Sequence, residues 1–260
     1  MPVARAPLLG PAVEPAAVGA MTNDSWDEFR GWAAALGLSL SASQLAQFAA
    51  YEALLLEWNE RISLTAIREP RQMRIRHFLD ALACATATGP LDGCSLIDVG
   101  SGAGFPGLPL KILYPDLRLT LVDSVAKKAR FLELAAAELG LTGVTIIPER
   151  AEVLGQDAAH REAYDWAAAR AVAELRVLAE LLLPLCRVGG RMLAQKGDSA
   201  AAELEAAQTA IQALGGGAAS LSAVHLPETD ASHYLVIIEK GRPTDPRYPR
   251  RAGLPAKRPL

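Results

Sequence analysis

The stretch that most limits what this chain can become is LIDVGSGAGFPGLPL, residues 96–110. Apolar, β-prone residues run into Asp98. Glycines follow at Gly100, Gly102, Gly104 and Gly107, and an apolar, helix-compatible segment comes next. Strand, glycine-rich turn and helix in that order form the opening unit of a doubly wound α/β sheet. Without Cβ, glycine reaches positive φ and lets a ligand come close to the backbone. The turn also aims free N–H groups and a helix N-terminus at whatever sits above it.

Downstream, the pattern keeps alternating. Strands are predicted over 95–99, 118–123, 144–148, 164–169 and 191–195, with helices over 108–113, 126–139, 174–185 and 200–214 between or after them. The last two strands, 221–226 and 234–239, have no helix between them. Alternation implies a parallel sheet, and a helix-free connection implies an antiparallel final strand. Seven strands with one antiparallel member differ from a six-stranded dinucleotide fold. They match a class I methyltransferase, a Rossmann-like α/β sheet. A small helical subdomain precedes it. Trp26, Phe29, Trp32, Ala33 and Leu36 recur at helical spacing up to Gly37, and Ser41 to Gln44 read as a capping box. Leu45, Phe48, Leu55 and Trp58 continue a second helix. Glu69-Pro70 opens a third that turns Met73, Ile75, Phe78, Leu79, Leu82 and Ala83 inward. The tryptophans read as core anchors rather than stacking platforms for bases.

The expected organisation is a disordered extension or misassigned start over residues 1–22, helices over 23–90, the sheet domain over 91–241 and a basic tail over 242–260. The extension is rich in Pro, Ala and Gly and lacks the layout of a signal peptide. With 51% apolar residues the chain can bury a full core. No apolar run reaches the roughly 20 residues that span a bilayer. Cys84, Cys94 and Cys186 are widely spaced with no CxxC, which argues against a disulfide framework or a zinc site and fits the cytoplasm. No metal and no membrane partner are expected, and a monomer is. The net charge of −3 announces no nucleic acid. Its distribution is less even: residues 240–260 carry seven Lys/Arg against Asp245, and residues 61–77 carry five arginines against Glu69. Each run reads either as a solvated face or as a phosphate-binding one.

The glycine turn alone leaves its ligand open. Gly102 to Gly107 satisfies the dinucleotide fingerprint, and Asp123 stands where a ribose-binding acid belongs. Against a nicotinamide cofactor stand three features. The glycines begin earlier, in an acid-led D-x-G-x-G-x-G from Asp98, and a carboxylate suits an ammonium and a sulfonium better than a pyrophosphate. Glu152 follows the third strand where an acid or nearby N–H can meet an adenine amine. No hydride-transfer constellation is visible elsewhere.

The wider pattern resembles the glucose-inhibited division protein B family, bacterial small-subunit ribosomal RNA guanine-N7 methyltransferases. WNERISLTAI (58–67), RHFLDAL (76–82), DVGSGAGFPGLPL (98–110), LVDSVAKKARFL (121–132), RAEVL (150–154), ARAVAEL (169–175), LAQKG (193–197) and YPRRAGLPAKRPL (248–260) carry it, in order and over nearly the whole chain. Gln195 departs from the LALKG common in the family. The resemblance implies S-adenosylmethionine as cofactor and 16S ribosomal RNA or the small subunit as partner, with guanine 527 of the 530 loop as target. It implies cofactor contacts at Asp98, Gly100, Ser101, Gly102, Gly104 and Phe105, at Asp123 and Ser124, at Ala151 and Glu152, and at Arg170, which also stands at the active-site rim. Candidates for RNA are Arg74, Arg76, His77, Lys127, Arg150 and Lys196, and in the tail Arg250, Arg251, Lys257 and Arg258.

Guanine N7 carries its own lone pair, so the implied chemistry needs no general base, and the sequence offers no obvious one. Ala169-Arg170-Ala171-Val172 stands where amine methyltransferases carry a (D/N)PP(Y/F) turn. Catalysis would rest on proximity and alignment. Two other readings stay open from the residues alone: an NAD(P)-dependent oxidoreductase using the same turn, and a non-catalytic RNA-binding module on a methyltransferase fold.

Overall fold

The computed structural model describes residues 23–260, so the extension expected over 1–22 lies outside the described residues. Two helices open the structure, α1 (Asn23–Ala35) and α2 (Ala42–Asn59). The capping box at Ser41 forms as the sequence predicts: its hydroxyl accepts from the Gln44 N–H, and the Gln44 side chain accepts from the Ser41 N–H. The Gln44 amide also donates to the carbonyls of Ile112 and Leu113, which ties α2 to the end of the first crossover helix.

α3 (Pro70–Met73), a π-helical turn (Arg74–Leu79) and α4 (Asp80–Thr88) then run on without a break. Glu69 starts them by accepting from the N–H groups of Arg71 and Gln72, and Pro70 occupies a position whose N–H has no helical partner anyway. Sequence periodicity did not foresee the π turn. Such turns recur at functional sites, and this one carries Arg76 and His77 and delivers Asp80.

β1 (Ser95–Val99), α5 (Gly107–Leu113), β2 (Arg118–Val122), α6 (Ala126–Glu138), β3 (Val144–Ile147), α7 (Ala151–Leu154), β4 (Tyr164–Arg170), α8 (Leu175–Leu182) and β5 (Cys186–Lys196) follow. Then come α9 (Ala200–Ala206), α10 (Gln208–Ala213), β6 (Gly216–Val224), β7 (His233–Lys240) and α11 (Leu254–Lys257). The seven strands lie in the order β3-β2-β1-β4-β5-β7-β6. β7 is antiparallel to both β5 and β6, and the pairs among β1 to β5 are parallel. The order reverses between β1 and β4, the place where open α/β sheets bind ligands beyond their strand ends.

Each face of the sheet has its own core. Phe29, Phe48, Tyr51, Phe78 and Leu82 from the N-terminal helices join Leu108, Leu121 and Phe131 on one face. Leu178, Leu182, Ile211 and Ile238 fill the other. The N-terminal helices thus share one core with the sheet instead of closing a core of their own.

Three local readings change. The helix expected over 200–214 is two short ones, α9 and α10. β6 begins at Gly216, because Gly215, which stops the helix, also lets the chain pass against the Arg242 and Pro243 carbonyls. β5 starts at Cys186, and an irregularity in its pairing with β4 absorbs the Gly189-Gly190 pair that reads as a break. Residues 242–260 are not a loose tail. Arg161 donates to the carbonyls of Gly155, Thr244, Asp245 and Tyr248, Gln156 donates to those of Pro246 and Pro249, and the segment lies back along the sheet domain.

Candidate active site

β1 brings Asp98 to the strand end, fully buried, where Oδ2 accepts from the Gly107 N–H at 2.9 Å. The carboxylate thereby fixes the start of α5, and its other oxygen, Oδ1, has no hydrogen-bond partner. Burial pushes its pKa up to about 7. Ser101 is also an inner strut, with its hydroxyl donating to the Asp98 carbonyl at 2.8 Å.

The glycines divide by role. A Cβ on Gly104 would stand 2.5 Å from Leu108 Cδ1 and 2.6 Å from the Tyr51 hydroxyl, and one on Gly107 would stand 2.9 Å from Asp98 Oδ2. Both are packing glycines. Gly100 and Gly102 have φ of +71° and +60° and shape the rim. The Tyr51 hydroxyl donates to the Ala103 carbonyl, so the N-terminal helices clamp the turn from outside.

The cleft at the turn is lined by Val99, Gly100, Asp123, Ser124, Ala151 and Glu152, with Arg150 at its edge. Asp123, just past β2, accepts from Gly102 N–H at 3.0 Å through Oδ2 and from Val125 N–H at 2.8 Å through Oδ1. A carboxylate has about four acceptor directions, so both oxygens keep capacity for a pair of hydroxyls. Glu152 accepts from the Gly253 N–H at 2.7 Å. The C-terminal segment therefore takes part of the capacity that the sequence reserved for an adenine amine. Its Gly253, Pro255 and Ala256 form the far wall.

Phe105 and Arg170 belong to a neighbouring cluster instead. Phe105 is buried, with Tyr51 stacked on it at 5.5 Å, His77 at 4.8 Å and the Arg170 guanidinium 4.5 Å from its ring centre. Arg170 donates to Asp80 Oδ2 and to the Arg76 carbonyl. Asp80 in turn meets His233 Nδ1 at 3.1 Å, and the Gln195 amide donates to the Asp80 carbonyl at 2.9 Å. Sequence reasoning missed Asp80 and His233. Asp80 stood inside the quoted RHFLDAL, where an acid followed an arginine-rich turn, and that was the available signal. The Phe105 ring is thus packed into this cluster and is not among the side chains that line the cleft. Burial pushes the His77 pKa down to about 4, with Arg170 adding to the effect. His77 Nδ1 lies on the Arg76 carbonyl and Nε2 lies 2.6 Å from Thr65 Oγ1. The ring is neutral near pH 7 and offers no charge to a phosphate.

Several of the RNA candidates have other work. Arg74 is buried, makes a two-pronged pair with Glu52 at 2.7 Å on each arm, and covers the Trp26 ring at 4.4 Å. Its apparent place on a basic face came from reading α-helical spacing through a π turn. Lys196 binds Glu203 at 2.7 Å and the Ala173 carbonyl at 2.9 Å, bracing the loop after β4. Arg250 is spent on Glu180, at 2.8 and 2.6 Å. Arg76, Lys127, Arg150, Arg251, Lys257 and Arg258 are exposed.

Among the described residues no group of three or more His, Cys, Asp or Glu is placed to hold a metal ion, and no helix is long and apolar enough to cross a membrane.

The sequence profile described as rRNA small subunit methyltransferase G matches residues 44–232. The chain belongs to the rRNA small subunit methyltransferase G family. Curated relatives named ribosomal RNA small subunit methyltransferase G include one from Roseiflexus castenholzii, 51% identical over 90% of this chain and 99% of the relative. Another, from Alkaliphilus metalliredigens, is 45% identical over 86% of this chain and 94% of the relative. Among solved structures, a SAM-dependent O-methyltransferase from Thermotoga maritima superposes with a TM-score of 0.50 at 16% identity, over 74% of this chain and 72% of that one. That likeness shows the class I methyltransferase fold.

Proposed function

We propose that this chain transfers the methyl group of S-adenosylmethionine to N7 of a guanine in small-subunit (16S) ribosomal RNA, with the resemblance pointing to the 530 loop. The observation that carries the reading is the cleft between Gly100, Asp123 and Glu152 in a chain of the methyltransferase G family. A donor fits these residues: the glycine rim admits close approach, and Asp123 is held by two N–H groups with oxygens still able to accept from a ribose.

When bound, S-adenosylmethionine supplies an electrophilic methyl on a positive sulfur. The chain's part is positional. Asp123 and Ser124 hold the ribose, Ala151 and Glu152 border the adenine, and Gly100 lets the amino-acid end lie against the turn. Of the titratable groups around the cleft and the cluster, His77 and Asp98 are not free to take a proton. His77 is neutral with both ring nitrogens engaged, and Asp98 is sealed beneath the turn. That suits guanine N7, which attacks with a lone pair and releases no proton. Product formation puts positive charge on the base. A lone arginine beside it would oppose that, but Arg170 is paired with Asp80 at 3.3 Å, so the local field is close to neutral. Arg170 is left to donate to a base edge such as O6. Alignment of this kind contributes about 7–11 kcal/mol to a two-reactant step.

Exposed Arg76, Lys127, Arg150, Arg251, Lys257 and Arg258 are the side chains available to RNA phosphates. Such contacts position the RNA without choosing the base. The reading predicts that labelled S-adenosylmethionine methylates 16S RNA or small subunits lacking the modification, with the mark mapped by N7-specific cleavage. Donor binding with no transfer to either substrate would leave only a binding module.

A further inference from the structure

The C-terminal segment was expected to serve RNA, yet its inner side faces the cleft. Gly253, Pro255 and Ala256 line it together with Glu152 and Asp123. Two buried carboxylates hold the segment there. Glu152 takes the Gly253 N–H at 2.7 Å. Glu180, on α8 and fully buried, takes the Arg250 backbone N–H at 2.8 Å and its guanidinium at 2.8 and 2.6 Å, while the same guanidinium donates to the Arg258 carbonyl at 2.8 Å. The near end is fastened independently, through Arg161, Gln156 and the close approach of Pro249 to Gly155. Arg250 therefore stands between a part of the segment fixed to the domain and a part that forms the wall, and it bonds to both sides of the loop that carries Gly253.

We propose that residues 250–258 are a strap that completes the donor site, and that the Glu180–Arg250 pair is the latch that sets how tightly the nucleoside end of the donor is held. Resting on the donor reading above, the inference adds binding and positioning residues that lie far from the glycine turn in sequence. The chemistry follows from the wall's composition. Pro255 and the Ala256 methyl offer an apolar surface suited to the face of a purine, and Glu152 is shared between fixing the strap and bordering the base. Removing the latch leaves Glu180 buried without its cation, which favours a strap that swings away. A donor then loses one wall and must order the strap on binding.

The test is calorimetric titration of full-length protein with S-adenosylhomocysteine, alongside tryptic cleavage after Arg251 and Lys257. In the parent, binding should slow cleavage at both sites. Arg250→Ala should speed cleavage and weaken binding about tenfold. Ala256→Trp, a substitution at an exposed wall position that leaves both carboxylate contacts in place, should weaken binding by a similar factor by filling the cleft. A parent protein that binds no S-adenosylhomocysteine defeats the donor reading itself. A parent that binds, with Arg250→Ala releasing the strap while affinity stays within about twofold, overturns the latch. Unchanged affinity in Ala256→Trp overturns the wall.

Discussion

The two sides of the crevice are built from different materials. The proposed donor side, beyond β1, β2 and β3, is mostly backbone: positive-φ glycines, N–H groups fixing Asp123, and one carboxylate, Asp98, buried to hold a helix start. The acceptor side, beyond β4, β5 and β7, is mostly side chain. Asp80, Arg170, His77, His233 and Gln195 converge there from a π turn, the start of α4 and three strands. Backbone sites are precise because sterics dictate them. Side-chain clusters depend on every element that contributes a residue. The donor side should therefore fail locally, and the acceptor side should fail through its supports.

The largest effect should come from a support. Arg74→Ala leaves Glu52 buried and unpaired beneath the π turn, and should cost about 3–5 kcal/mol in urea unfolding. Below its unfolding midpoint it should still bind S-adenosylhomocysteine while transferring methyl poorly. Equal loss of both functions would erase the contrast between the two sides. Next come the glycines. Gly104→Ala should cost about 3 kcal/mol, from a left-handed backbone and two blocked contacts. Gly102→Ala, whose nearest obstacle is 3.8 Å away, should cost about 1 kcal/mol. If the two cost the same, the division into packing and rim glycines is wrong.

Opposite in sign on the two sides are the pH effects. Asp98 has its pKa raised from 3.8 to about 7, so the folded state binds more protons than the unfolded one in that window and stability falls as pH rises through it. His77 has its pKa lowered from 6.5 to about 4, so the unfolded state binds more protons and stability falls as pH drops from 6.5 towards 4. The two slopes oppose each other in the parent. Asp98→Asn should expose the His77 slope, with stability rising as pH rises between 4 and 6.5. His77→Gln should expose the reverse. Denaturant midpoints across that range check both, and flat profiles in both variants would contradict the shifts. Smallest per residue are the phosphate contacts: replacing Lys127, Arg150 or Lys257 with Ala should each lower the salt slope of RNA binding by about one.

The same contrast explains what could be read from the sequence. The donor side was legible because its residues are neighbours in the chain: the strand, four glycines and the acid after β2 fall in fixed order, and the helix-free final connection announces β7. The acceptor cluster joins residues as far apart as Asp80 and His233, and periodicity carries no trace of such a pairing. Arg74 misled because a π turn shifts which side chains face inward. Arg250 misled because a run of bases looks the same whether it meets solvent or a buried Glu180. The family motifs picked out the segments at 248–260 and 76–82 without saying which side chains of each turn inward.

The most direct measurement compares the dissociation constants of S-adenosylhomocysteine for Asp123→Ala and Arg170→Ala. If donor and acceptor sites are divided as described, Asp123→Ala binds at least about tenfold more weakly than the parent, and Arg170→Ala stays within about twofold of it while losing methyl transfer. An Arg170→Ala protein that loses donor affinity as severely as Asp123→Ala would place Arg170 on the cofactor and contradict the division.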